Sequence, residues 1–144
     1  MVSIKRVYEP PSRADGDRIL VDRLWPRGVR RSAVTRWERD LAPSDALRRW
    51  YGHDPARWPE FRQRYRAELR TRRAQLAALA ARAARGRVTL LYAAADTARN
   101  NAVVLKEVVE KLAGLTARRR VIRSPVGTSR SSSRGPRPRA GGGR

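Results

Sequence analysis

The chain has 144 residues, which is enough for one domain with a modest hydrophobic core. It contains no cysteine and one histidine, His53, so disulfides, thiolate nucleophiles and cysteine–metal sites are excluded and a histidine-rich metal site is not expected. The formal net charge is +21 and comes almost entirely from arginine.

The positive charge has two interpretations. A net charge of this size is typical of proteins that bind nucleic acid or another polyanion. However, all 13 acidic residues precede Gly114, and nine of the 34 basic residues follow it. An arginine-rich and alanine-rich chain can also reflect a GC-rich genome. In that case the arginines form a solvated surface and have no binding role.

No segment has the apolar length of a signal peptide or a membrane span, so we expect a cytoplasmic protein without a membrane partner.

The amino-terminal part predicts two strands separated by a loop. Residues 2–8 alternate in polarity as a strand does. Residues 18–25 are almost continuously apolar, which is typical of a central strand, and Pro26 ends them.

Residues 33–58 predict short helices that are divided at Pro43 and Gly52. Ser44 is the expected N-cap of the second helix, and Asp54 would begin a third.

Residues 59–85 predict one long helix that begins at Pro59 and ends before Gly86. Its apolar residues recur every three, four or seven positions, which makes a single buried stripe. The stripe consists of Phe61, Tyr65, Leu69, Leu76, Leu79 and Ala83.

Residues 88–94 are β-branched and apolar and predict a third strand. Asp96 or Thr97 would cap a last helix, which Gly114 ends. The expected buried face of that helix consists of Ala102, Val103, Leu105, Val108, Val109 and Leu112.

These elements predict a small single α/β domain over residues 1–114, with a three-stranded, mainly parallel sheet flanked by helices. The pairing of the first two strands is left open. Residues 115–144 are rich in Arg, Ser, Gly and Pro, which predicts a disordered basic tail. The tail would be either a nonspecific polyanion-binding arm or dispensable.

An unusual set of side chains follows the second strand. Asp22, Arg23, Trp25 and Arg27 come directly after its apolar residues. A guanidinium binds a phosphate or carboxylate through two parallel hydrogen bonds, and an indole stacks on a base or a sugar. A carboxylate on a core strand needs a partner, so we expect Asp22 to orient an arginine.

A second group of polar residues follows the third strand. Arg99, Asn100 and Asn101 occupy the predicted first turn of the last helix, where free backbone N–H groups attract anions. Tyr92 lies near the end of the strand and can donate a hydroxyl. Because ligands bind beyond the carboxyl ends of parallel strands, both groups are expected to line one anion-binding cleft.

The sequence contains no glycine-rich nucleotide loop, phosphate-binding loop, zinc-protease helix or serine-hydrolase elbow. The candidates for proton transfer are Asp22, Tyr92 and His53, and His53 equally suits a turn. No cofactor and no metal site are predicted.

Five blocks of the chain, in order, resemble the YeaO-like family of small bacterial proteins, a branch of a superfamily classed as a domain of unknown function. The blocks are IKRVYEPP, DGDRILVDRLWPRG, WERDLAPSDALRRWYGHDP, FRQRYRAEL and VTLLYAAADTARNNAVVLKEVVE, and they cover about residues 3–112. The resemblance implies a compact α/β domain and no established activity. Wider relatives have cysteine where Tyr92 stands and Cys-His-Arg near residues 99–101, so thiol or imidazole chemistry is not implied here.

Three classes of function are compatible with the sequence. The one we favour is binding of a phosphorylated, nucleotide-like or nucleic-acid ligand at the cleft by Arg23, Trp25, Arg27, Arg99 and Asn100. The second is an enzyme that acts on a phosphorylated substrate at the same cleft. The third is a structural or partner-binding protein, in which the tryptophans and arginines serve packing and solubility. The sequence does not determine the oligomeric state.

Overall fold

A computed structural model describes residues 1–114, and the predicted basic tail lies outside the described residues. One parallel sheet contains the strands β1 (Val2–Arg6), β2 (Asp17–Leu20), β3 (Arg36–Trp37) and β4 (Val88–Tyr92). Their order is β1-β4-β2-β3, and every neighbouring pair is parallel. The α/β fold is confirmed, but the predicted number of strands is corrected from three to four.

The two apolar strands, β2 and β4, lie in the middle of the sheet. All five residues of β4 are buried. The first two strands do not pair with each other, because β4 lies between them, with Leu90 in register with both Ile4 and Ile19. The last strand in the chain is thus one of the two central strands.

The helices are α1 (Asp45–Tyr51), α2 (Trp58–Leu69), α3 (Arg73–Arg85) and α4, which is helical over residues 101–114. No helix within residues 1–114 has the length and apolar character needed to cross a membrane.

Ser44 caps α1 as predicted, because its hydroxyl accepts the Leu47 N–H at 3.1 Å. Asp54 begins a short 3-10 turn, also as predicted. The predicted cap of α4 is wrong. Asn100 Oδ1 accepts the Val103 N–H at 3.1 Å at the start of the helix, whereas Asp96 accepts backbone N–H groups in the preceding loop.

The single long helix predicted over residues 59–85 is wrong, although its apolar stripe is buried throughout. The helix is broken between α2 and α3, where the Thr71 hydroxyl donates to the Glu68 carbonyl at 2.7 Å and Arg72 adopts φ −115° and ψ 43°. Leu69 and Leu76 are seven positions apart, so the sequence pattern continues in phase across the break.

Further boundaries differ from the prediction. The strands expected over residues 2–8 and 88–94 end at Arg6 and Tyr92. The strand expected over residues 18–25 ends at Leu20, because the chain turns away from the sheet after the Val21 N–H donates to the Leu91 carbonyl at 3.1 Å. The first of the short helices expected within residues 33–58 is replaced by β3, which lies between two 3-10 turns. A two-residue strand is too short to produce a recognisable period.

The two faces of the sheet are covered differently. Residues of all four helices join one core on the face that contains Ile19 and Leu90. The opposite face contains Leu20 and Leu91. It is covered by the loop residues Trp25, Val29 and Val34 and by Trp37 of β3. No helix of the described chain contributes to this second core.

A buried ionic cluster lies beneath the loop that precedes β2. Asp15 Oδ2 is 2.7 Å from Arg18 Nη1 and 3.1 Å from Lys5 Nζ, and Arg18 also donates to the Glu9 carbonyl. Burial opposes the charge of Asp15, but hydrogen bonds from the Ser12 N–H, Arg18 and Lys5 outweigh it. They lower the pKa of Asp15 to about 2.

This cluster predicts a pH dependence of stability. The pKa of Asp15 is lower in the folded protein than the value of about 4 in an unfolded chain. Its stabilising contribution is therefore complete above the unfolded pKa and is lost as pH falls through about 2. We expect this carboxylate to account for about 1–2 kcal/mol of the unfolding free energy lost on acidification, as measured by urea unfolding. Asp15→Asn should remove this part of the acid-dependent loss of stability. The control variant Asp45→Asn, at an exposed ion pair, should retain it. Equal pH profiles of stability in wild type and Asp15→Asn would contradict the prediction.

Candidate functional site

A pocket of about 310 Å³ opens beyond the carboxyl ends of β2 and β4. Its walls come from residues 22–26, from residues 93–94 and 100–101, and from Pro43 and the region where α1 meets α2. The polar lining consists of Asp22, Arg23, Arg48, His53, Asn100 and Asn101. The larger apolar side chains around it are Leu24, Trp25, Pro26, Pro43, Tyr51 and Phe61. The volume lies at the lower end of the range for small-molecule sites.

Asp22 connects three segments of the pocket. Its Oδ2 accepts the Ala93 N–H at 2.9 Å, and its Oδ1 accepts from Asn101 Nδ2 at 3.2 Å. The same Asn101 amide group donates to the Val21 carbonyl at 2.8 Å. One carboxylate thus holds together the end of β2, the end of β4 and the first turn of α4. The expectation that Asp22 orients an arginine is wrong, because its partners are a backbone N–H and a side-chain amide.

The environment of Asp22 favours its neutral form. Burial raises the pKa of this carboxyl, against the hydrogen bonds from Ala93 and Asn101 and the nearby charges of His53 and Arg48. Burial dominates because the pocket wall removes most of the water that would solvate the charge.

Arg23 is an arginine of the pocket that forms no ion pair, although its charge acts on the nearby Asp45 carboxylate. Its Nε donates to the Pro43 carbonyl at 3.0 Å, which fixes the direction of the side chain. Within residues 1–114, no carboxylate forms an ion pair with it. Arg48 differs, because Asp45 Oδ1 lies 2.6 Å from its guanidinium. A fixed but unpaired guanidinium retains N–H groups for an anion.

Aromatic rings form the apolar side of the pocket. Tyr51 stacks on Phe61 with ring centroids 4.4 Å apart, and its hydroxyl donates to the Arg99 carbonyl at 3.1 Å. This bond joins the end of α1 to the loop before α4. Trp25 packs edge-on against Trp37 at 5.4 Å. The rings are held in place and offer flat apolar surface to a ligand.

His53 reaches the pocket through an uncommon backbone conformation. Gly52 ends α1 with φ 54°, and His53 follows with φ 56°. The left-handed region suits glycine and is uncommon for other residues, although histidine adopts it more often than most of them. Two such residues in succession place the imidazole beside Tyr51, with ring centroids 6.0 Å apart.

The structure brings together some of the residues predicted for the site and not others. Asp22, Arg23, Trp25, Asn100 and His53 line the pocket, and their roles toward a ligand stay predictions.

Arg27, Arg99 and Tyr92 do not line it. Arg27 is exposed after the turn, and the Arg99 guanidinium pairs with Asp96 at 2.9 Å on the surface. Tyr92 is buried in the core, where burial raises the pKa of its hydroxyl.

Among the pocket residues that reasoning from the sequence missed, three lie on helices, namely Arg48, Tyr51 and Phe61. They belong to α1 and α2, whose position over the edge of the sheet is a tertiary property. The available signal was the aromatic pair that precedes the helix-ending Gly52.

The fold and the pocket define a small α/β domain with a ligand-sized cleft at the carboxyl edge of its sheet. The family model described as "Inactive DUF488-N3 subclade" matches residues 1–127. The chain is 39% identical over 113 residues to the uncharacterized protein YeaO of Escherichia coli strain K12, covering 77% of this chain and 98% of that protein. It is 44% identical over 110 residues to the uncharacterized protein Rv3073c of Mycobacterium tuberculosis strain H37Rv, covering 75% and 92%. No solved structure matches the chain. The chain belongs to the YeaO-like family of unknown function, within the DUF488-N3 subclade described as inactive.

The electrostatics of the pocket can be tested by carbon-13 NMR titration of the aspartate carboxyls. We expect Asp22 to titrate above the ordinary value of 3.8, because burial disfavours its charge. Its contribution to stability is then greatest at low pH and is lost as pH rises through its folded pKa. Asp96 provides an internal control, because N–H donors from Ala98 and Arg99 hold its pKa below 3.8. Asn101→Ala removes one hydrogen-bond donor to the charged form of Asp22 and should raise the pKa of Asp22 further. If the measured pKa of Asp22 is equal to or lower than that of Asp96, burial does not dominate.

Proposed function

We propose that the protein binds a small anionic molecule in the pocket beyond β2 and β4, and that it does so without catalysing a reaction. The observation that carries the proposal is the state of Arg23. Its guanidinium lines the pocket, is held by the Pro43 carbonyl, and has no carboxylate partner within residues 1–114. A guanidinium in this state is suited to a phosphate or carboxylate group.

The rest of the pocket indicates the class of ligand. Trp25 and Tyr51 provide flat apolar surface on the same cavity that Arg23 lines. A ligand that satisfies both features has a phosphate or carboxylate joined to a planar ring, as in a nucleotide-like molecule. The volume of about 310 Å³ suits a molecule no larger than a mononucleotide.

Binding is favoured over catalysis by the state of two of the three candidate proton-transfer groups, whereas the third, His53, lines the pocket. Both oxygens of Asp22 accept hydrogen bonds that hold the fold, and Tyr92 lies in the core rather than in the pocket lining. The family description, which uses the word inactive, is in keeping with a binding role.

The proposal predicts that Arg23→Gln weakens binding of phenyl phosphate and of adenosine 5′-monophosphate at least tenfold, which corresponds to about 1.4 kcal/mol. Isothermal titration calorimetry on the full chain measures the dissociation constants, with inorganic phosphate as the ligand that lacks a ring. Phenyl phosphate should bind more tightly than inorganic phosphate, because only the former contacts the aromatic wall.

Two matched variants control this experiment. Arg27→Gln removes the same charge from an exposed side chain outside the pocket lining and should change the dissociation constants less than twofold. Arg23→Lys keeps the charge but loses the planar guanidinium and its bond to Pro43, so it should restore part of the affinity. The proposal is wrong if none of the three compounds binds the wild type, or if Arg23→Gln and Arg27→Gln weaken binding equally.

A further inference from the structure

A second basic surface lies on the helix-free face of the sheet, on residues 25–39. Between Trp25 and Arg39 the chain carries five arginines and one acidic residue, Glu38. The segment is fixed to the sheet, because Trp25, Val29, Val34 and Trp37 pack on the second core. Its arginines therefore project from a backbone that is held by packing.

Two of these arginines and two tryptophans form a continuous ladder, Arg31–Trp25–Trp37–Arg39. The Arg31 Cζ is 5.3 Å from the centre of the Trp25 ring, and the Arg39 Cζ is 5.4 Å from the centre of the Trp37 ring. The two indoles contact each other at 5.4 Å, with their planes at 72°.

Both indole N–H groups of the ladder are bound to backbone carbonyls. Trp25 Nε1 donates to the Val29 carbonyl at 2.9 Å, and Trp37 Nε1 donates to the Asp22 carbonyl at 2.8 Å. Each indole is therefore a fixed support for a guanidinium, and cation–π contact keeps the two together.

The charge of this surface is not neutralised by neighbouring carboxylates. Arg36 pairs with Glu38. In the part of the chain that the structure describes, the other four arginines of the segment form no ion pair, and all four are exposed. They are Arg27, Arg30, Arg31 and Arg39.

On the helical side of the molecule, two arginines also lie over a tryptophan, but their charges are neutralised. Arg57 and Arg64 both lie over Trp50, at 5.3 and 4.5 Å from the ring centre. Each of them, however, pairs with a carboxylate, Arg57 with Asp54 and Arg64 with Glu60. An arginine that already has a carboxylate partner attracts a phosphate less, so the ladder is the better polyanion site.

We propose that residues 25–39 form a binding surface for single-stranded nucleic acid, a function that goes beyond the small-anion pocket. A guanidinium supported by an indole on one side presents its opposite side for stacking of an unpaired base. Its N–H groups and the neighbouring Arg27 and Arg30 are available to phosphates. Bases in a duplex are already stacked on each other, so the ladder selects single strands.

The test measures binding of the full chain to fluorescein-labelled (dT)20 and (rU)20 by fluorescence anisotropy, at several salt concentrations. The variant Arg31→Gln with Arg39→Gln should weaken binding at least tenfold at moderate salt. Loss of two phosphate contacts should also reduce the slope of log K against log salt by about 1.4, since each contact to a single strand contributes about 0.7. The two strands show whether the surface prefers DNA or RNA.

The matched control is Arg57→Gln with Arg64→Gln, which removes the same charge from two tryptophan-stacked arginines that have carboxylate partners. We expect it to change the affinity less than twofold. Arg31→Lys with Arg39→Lys should keep the salt slope but lose affinity, because an ammonium does not stack as a guanidinium does. Arg23→Gln should bind (dT)20 as the wild type does, which separates this proposal from the pocket.

Three outcomes would overturn the proposal. One is equal loss in the two glutamine double variants, which would indicate a general effect of charge. Another is unchanged binding after Arg31→Gln with Arg39→Gln, which would place the interaction elsewhere on the chain. The third is that polyphosphate or a duplex of the same length competes as well as (dT)20 does, which would exclude recognition of unpaired bases.

Discussion

The geometry of the carboxyl edge depends on one carboxylate, that of Asp22. It accepts hydrogen bonds from Ala93 after β4 and from Asn101 in α4, while its own backbone follows β2. If it were removed, the Ala93 N–H would lose its acceptor and the Asn101 amide would keep only its bond to the Val21 carbonyl. An unsatisfied buried group costs about 1–3 kcal/mol of the unfolding free energy. Burial of this carboxyl raises its pKa. Its hydrogen bonds join the three segments that surround the pocket.

The two faces of the sheet differ in how the arginines of the elements that cover them are neutralised. Helices cover one face, and there the exposed arginines of α1 and α2 pair with acidic residues one turn away or on α4. Loops cover most of the other face. In a helix, a carboxylate three or four positions away lies beside an arginine, and a loop does not provide this arrangement. Trp25 connects the pocket with the ladder, because it lines the pocket and also supports Arg31. A ligand in the pocket would therefore lie close to the indole that supports one arginine of the ladder.

Part of the candidate site followed from topology alone. Asp22, Arg23, Trp25 and Asn100 meet because β2 and β4 are parallel neighbours, so their carboxyl ends share one edge. Other predicted contacts were wrong for local reasons, since Asp96 pairs with the Arg99 guanidinium on the surface. The aromatic wall was missed, because a helix pattern shows which residues are buried but not what they are buried against.

Local sequence patterns predicted several features of this protein correctly. They are the central character of β2, the cap at Ser44, the buried stripe of α2 and α3, and the membership of the YeaO-like family. Each of these depends on neighbours within a few residues or on matching blocks of sequence. Tertiary structure decided the insertion of β4 between β1 and β2, the pairing of the two-residue β3, and the cover of one face by helices and of the other by loops. These features depend on hydrogen bonds and packing between segments far apart in the chain, and a local periodicity carries no information about which distant segment will satisfy it.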